Sequence, residues 1–206
     1  MPQKPFQAVH AQARVRRYGP GEKADPADYR PGDFILTHGS AFFSWLIRVG
    51  QALRFRGPDN KFTWWNHAAM IVSSSGDLVE ALGAGVTRSH LDKYAPTEFH
   101  LVSIEGITNE HDREQAVRFA EWCVGMPYDW VNIVSIALSL ITGGKFTFGF
   151  DGHAICSGLV ARALERTNAI FNRTPSHIMP ADLAKYFNVE PPGPGSQRGT
   201  PGRPSK

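Results

Sequence analysis

The alternation of apolar and polar residues divides the chain into short elements. Pro31-Gly32-Asp33 is a turn signal, and Phe34-Ile35-Leu36-Thr37 follows as a short strand. Ser40 can cap a helix in which Phe42, Phe43, Leu46, Ile47, Val49 and Leu53 recur at helical spacing to about Arg54. Gly57-Pro58-Asp59-Asn60 breaks that pattern. His67 to Val72 (HAAMIV) reads as a strand, Ser73 to Asp77 as a turn, and Leu78 to Leu82 (LVEAL) as the returning arm of a hairpin. Gly83 and Gly85 end the arm. Gly85 to Arg88 predicts a third strand, and Ser89 to Tyr94 a short helical turn.

Phe99 to Ile104 is a further strand. Asn109 is placed to cap a helix over Glu110 to Val124, with Ala116, Val117, Ala120 and Val124 on one face and Gly125-Met126-Pro127 ending it. Asp129 can open another helix, whose Val131 to Ile141 is the most apolar run of the chain. Gly143 to Gly152 reads as a Gly- and Phe-rich loop. Helices are expected from about Ile155 to Arg166 and from Pro180 to Phe187. The sum is a small antiparallel sheet packed with helices, an α+β domain. A membrane span needs about 20 apolar residues, so the Val131 to Ile141 run predicts a buried or interfacial helix and no transmembrane segment.

Composition changes this picture little. With 42% hydrophobic and 20% charged residues among 206, most of the chain is expected to fold as one domain. The formal net charge of +3 comes with no dense basic run, so a nucleic-acid partner is not expected. Residues 1–30 are Pro-punctuated and read as an N-terminal extension, 31–190 as the domain, and 191–206 as a disordered Pro/Gly/basic tail. No apolar leader opens the sequence. That favours the cytoplasm, while a phage-encoded protein or export by another route stays compatible.

Two cysteines, Cys123 and Cys156, are too few for a disulfide framework. No Cys-x-x-Cys pair or His-Glu-x-x-His motif suggests a metal, and no Gly-rich phosphate or dinucleotide motif suggests a cofactor, so none is expected. Cys156 sits in the first turn of a predicted helix, where partial positive charge and free N–H groups favour a thiolate. The same amides can hold an oxyanion. The plain alternative is a small buried hydrophobe. His67 opens an apolar strand and can serve as the base that a cysteine nucleophile needs; alternatively it is a structural histidine. Glu80 lies on the next strand, close enough in an antiparallel pair to orient His67, or it is an edge glutamate facing water. Cys123 reads as core packing. His153 beside Asp151 reads as solvated or as a group that polarises the thiol, His38 lies where site-lining residues gather, and Trp64-Trp65 read as core, or one of them as the wall of a substrate cleft.

The segments Pro31-Gly32-Asp33-Phe34-Ile35-Leu36, Trp65-Asn66-His67-Ala68-Ala69-Met70-Ile71-Val72, Leu78-Val79-Glu80-Ala81, Pro127-Tyr128-Asp129 and Ile155-Cys156-Ser157-Gly158-Leu159-Val160 together resemble the circularly permuted branch of the NlpC/P60 papain-like superfamily. The nearest members are YiiX/YebB-type proteins, with lecithin:retinol acyltransferase-like enzymes more distant. In that branch histidine precedes cysteine, as here, and the resemblance spans roughly residues 31–187. It implies a permuted papain-like fold with Cys156 as nucleophile, His67 as general base and Glu80 as the polar third residue. It assigns Pro127-Tyr128-Asp129 to the neighbourhood of the site, with no chemical role, and leaves Thr142 to Asp151 unmatched, as a lid or specificity loop. The activity implied is cysteine hydrolysis of an amide, in a small peptide or peptidoglycan fragment, through a thioester. The alternatives are a lipid-directed acyl hydrolase or acyltransferase, with an acyl-lipid substrate and interfacial membrane contact, and a non-catalytic binding module.

Overall fold

Strands β1 (Arg14–Tyr18), β2 (Phe34–Thr37), β3 (His67–Ile71), β4 (Asp77–Leu82), β5 (Gly85–His90) and β6 (Phe99–Ser103) form one antiparallel sheet, in the order β1-β6-β2-β3-β4-β5. The computed structural model describes residues 13–38, 47–48, 50–52, 54–104, 108–127, 156–167, 169, 171 and 175–193. Within these, helices α1 (Glu110–Trp122), α2 (Cys156–Leu164) and α3 (Pro180–Tyr186) complete an α+β architecture. Residues 47–54 are helical where described. Among the described residues, no helix is long and apolar enough to cross a membrane.

Both faces of the sheet are covered, which is why β2, β3 and β6 read as near-continuous apolar runs. Phe34, Leu36, Ala68, Met70, Val79, Ala81 and Val102 point to the helix side and join Leu159, Val160 and Leu164 of α2. Ile35, Ala69, Ile71, Leu78, Phe99 and Leu101 alternate to the other side, under Tyr29, Leu91 and Tyr94. Each fully buried Val, Leu, Ile, Phe or Met among these contributes about 1.5–3 kcal/mol of transfer free energy. The second cluster needs the turn of 3-10 helix at Leu91–Tyr94, which folds back over β3 and β4.

Buried polar groups tie the elements together. Asp33, at the start of β2, accepts from the Arg113 guanidinium of α1 (2.9 Å), from the Ile104 N–H (3.1 Å) and from the Arg30 N–H (3.0 Å). The Gln51 amide donates to the Trp65 carbonyl (2.9 Å) and accepts from the Ala181 N–H (2.8 Å), joining the 47–54 helix to β3 and α3. At the far edge, the Val86 N–H donates to the Met126 carbonyl (2.8 Å) and the Gly125 N–H to the Val86 carbonyl (2.9 Å). Gly85 there has φ +122°, and a Cβ would lie 2.7 Å from the Met126 oxygen, so the close approach requires glycine.

One edge of the sheet and the end of α1 differ from the sequence reading. Arg14–Tyr18, assigned to an extension, is the edge strand beside β6, with Tyr18 stacked on Phe99 (4.9 Å between ring centroids). Its three arginines hid it, because an edge strand buries little of its outer residues. Val124, assigned to the buried face of α1, lies beyond the helix end and is exposed, while Arg113 is buried through its contact with Asp33. The expected helix over 131–141, the loop over 142–151, His153, and the 1–12 and 194–206 ends lie outside the described residues.

Candidate active site

The site begins with an interruption in the sheet. β3 and β4 pair at Met70↔Val79 and Ile71↔Leu78, next to their connecting turn, and the ladder stops there. Beyond that point α2 packs against both strands. His67 is the first residue of β3, Glu80 lies in β4, and Cys156 is the first residue of α2. Cys156 and His67 are 1% and 9% exposed, and Glu80 is fully buried.

The structure brings these three together in series. His67 Nε2–H donates to Glu80 Oε2 at 2.7 Å. The imidazole also hydrogen-bonds the Cys156 sulfur; with Nε2 committed to Glu80, Nδ1 is the nitrogen left for sulfur. The sulfur further accepts from the backbone N–H groups of Ala68 and Ser157. A strand N–H lies in the sheet plane, so the bond from Ala68 places the sulfur at the gap between β3 and β4.

Glu80 accepts four donors, two on each carboxylate oxygen. Oε2 takes His67 Nε2–H and the Tyr94 hydroxyl; Oε1 takes Lys93 Nζ at 2.7 Å and the Ser89 hydroxyl. These occupy all of the roughly four lone-pair positions of a carboxylate. The Tyr94 ring also lies near-parallel to the His67 ring, 6.0 Å between centroids.

These contacts set the charge states. Burial opposes the imidazolium, but the bonds to the Cys156 sulfur and to Glu80 outweigh it and raise His67 from 6.5 to about 9. Burial likewise opposes the Cys156 thiolate; the His67 bond and charge and the two backbone N–H groups outweigh it and lower the thiol's pKa. Glu80 is held well below the ordinary carboxylate range against its burial, by His67 first and then Lys93 and Ser89. Both shifts run in the direction of a thiolate beside an imidazolium, with the Glu80 carboxylate behind the ring.

The sequence pointed to Cys156, His67 and Glu80 but missed Ser89, Lys93 and Tyr94. A signal for Ser89 existed: the β4–β5 turn sets Ser89 opposite Leu78 and Thr87 opposite Glu80, placing Ser89 diagonal to Glu80 on the same face. Nothing local announces Lys93 and Tyr94, because they reach Glu80 through a tertiary return. Cys123 is buried at the end of α1, and burial raises its thiol. His38 Nδ1–H donates to the Trp64 carbonyl (2.7 Å) and stacks on the Trp64 ring. These two, with Arg48, Lys61 and Pro192, line a cavity of about 560 Å³. Trp65 is core, whereas Trp64 is only partly buried and takes the wall position that the sequence left open for one of the pair.

No protein-family model matches the chain, and no curated protein matches it.

Proposed function

We propose that the protein is a cysteine hydrolase of the circularly permuted NlpC/P60 papain-like type, which cleaves an amide bond through a thioester at Cys156. One observation carries this reading: a helix-borne cysteine, a strand-borne histidine and a buried glutamate lie in hydrogen-bonded series, with the proton favoured on the imidazole. The order His67, Glu80, Cys156 along the chain supports the permuted type. A cell-wall peptide or related small amide is the substrate class.

In this mechanism the Cys156 sulfur attacks the carbonyl carbon, and the π electrons move to oxygen. As the tetrahedral intermediate collapses, the C–N bond breaks and His67 gives its proton to the leaving nitrogen. Water then attacks the thioester while His67, now neutral, takes the water's proton. Release of the acid restores the thiolate and imidazolium. Glu80 holds the ring throughout in the orientation that keeps the sulfur-facing nitrogen on the reacting atoms.

The first test is the pH dependence of Cys156 alkylation in the wild type and in His67→Ala. A low acid limb that rises toward the free-thiol range near pH ~8.5 without His67 is expected. A free-thiol limb in both proteins refutes the pair. Glu80→Gln should lower the turnover of a muropeptide amide by about 10²–10⁴-fold, the range of a general acid–base contribution. Turnover of an acyl lipid with no action on the peptide would shift the substrate class.

A further inference from the structure

The Cys–His–Glu reading leaves a charge problem that the structure also answers. Glu80 is fully buried. In the resting pair it faces an imidazolium, but once His67 has passed its proton to a leaving group that cation is gone. A buried carboxylate beside a neutral imidazole tends to take up a proton itself. It would then draw the proton that His67 must handle, and lose its function as an acceptor of a fixed ring N–H.

The charged and titratable groups facing Glu80 among the described residues are few. β3 supplies His67, and α2 supplies Cys156 behind it. β5 supplies the neutral Ser89 hydroxyl, and the Leu91–Tyr94 turn supplies Tyr94 and Lys93. Tyr94 donates a hydrogen bond without charge, and burial and Glu80 keep it a phenol. Lys93 is the cation that persists when His67 is neutral. Its ammonium sits 2.7 Å from Oε1, the oxygen His67 does not use, and 5.3 Å from the centroid of the Tyr94 ring. Its side chain is 44% exposed, so the charge keeps part of its hydration while its contact is buried.

Resting on that reading, we propose that Lys93 is a positioning residue whose ammonium keeps Glu80 ionised while His67 is neutral, so that Oε2 stays an acceptor for His67 Nε2–H through the whole turnover. Lys93 touches no reacting atom and acts through Glu80. The resting site is then an alternating row, thiolate, imidazolium, carboxylate, ammonium, in which each charge faces its opposite. Ser89 and Tyr94 fix the carboxylate plane, and Lys93 fixes its charge.

The test is the pH profile of Cys156 alkylation by iodoacetamide, read by mass spectrometry, in the wild type, Lys93→Met, Lys93→Gln and Lys93→Arg. Cys123, buried in the same molecule, reports on integrity in the same digests: it stays unreactive in a folded variant. Without the ammonium, Glu80 competes for the imidazole proton, so the acid limb of Cys156 rises by about one pH unit or more in Lys93→Met. Lys93→Gln keeps a donor to Oε1 without charge and should show the same rise, while Lys93→Arg should keep the wild-type limb. An unchanged or lowered limb in Lys93→Gln overturns the proposal while leaving the Cys–His pair standing. Should Lys93→Met fail to fold, with Cys123 becoming reactive, Lys93→Gln and Lys93→Arg decide alone. A wild-type limb already in the free-thiol range refutes the Cys–His reading, and the role of Lys93 with it.

Discussion

His67 and His100 are both buried histidines of one sheet, and their surroundings drive them in opposite directions. His67 meets a carboxylate and a sulfur and is raised to about 9. His100 packs on the Trp65 ring, its Nε2 lies a long 3.4 Å from Glu98 Oε1 and its Nδ1 finds no partner among the described residues; burial, and then the Arg17 charge, lower it to about 4. A depressed base binds its proton in the unfolded chain first. The His100 contribution is therefore fully present above the unfolded value near 6.5 and declines as pH falls toward 4. The gap of about 2.5 units corresponds to about 3 kcal/mol as an upper figure. Urea unfolding of the wild type and His100→Leu at pH 7 and pH 4.5 should show the wild type losing more stability on acidification; equal losses would contradict the assignment. His67 has the opposite sign, its contribution being present below 6.5 and lost as pH rises through about 9. At this scale the positions of His67, Glu80 and Cys156 were legible, because a strand start, its partner strand and a helix start can be read locally, and the three meet in the structure. It was silent on the burial of Glu80, which depends on donors brought in by a distant turn.

Elements were legible where local periodicity and local burial agree. The strands His67–Ile71, Asp77–Leu82 and Phe99–Ser103 and the helix Cys156–Leu164 lie within a residue or two of their expected positions. Gly85–His90 runs two residues further than expected, since the turn at Leu91 begins only after His90. Arg113 was invisible as a core residue, because its burial comes from a partner 80 positions away. That pair also gives an element-scale prediction. Asp33 and Arg113 fasten α1 to the start of β2, with 1% and 4% side-chain exposure. Arg113→Met leaves the carboxylate buried without its counter-charge and should cost about 3–5 kcal/mol, the range for breaking a buried pair. The double variant Asp33→Asn/Arg113→Met should lose less than the single one in chemical unfolding; additive losses would show that the two side chains act independently.

For the whole molecule, the fold class was readable and the boundary was not. A strand with three arginines in five residues carries no apolar signature, yet β1 closes the sheet beside β6. A chain shortened to begin at residue 31 should expose the β6 edge, lose the Tyr18–Phe99 stack, and unfold at lower denaturant with a tendency to self-associate. Monomeric behaviour with unchanged stability, by sedimentation and urea titration, would contradict that role. The gap between β3 and β4 has a consequence in time as well as in space. His67 and Glu80 are 13 positions apart on one hairpin, while Cys156 follows His67 by 89. Closing the hairpin loop is entropically cheaper than closing the long one. A chain that has made the hairpin but not seated its last helices holds His67 beside Glu80 without Cys156, and a thiol without the contacts that lower it. The contacts that lower the Cys156 thiol exist only once these two distant parts of the chain have met, so on the proposed reading the site is completed by the last step of folding.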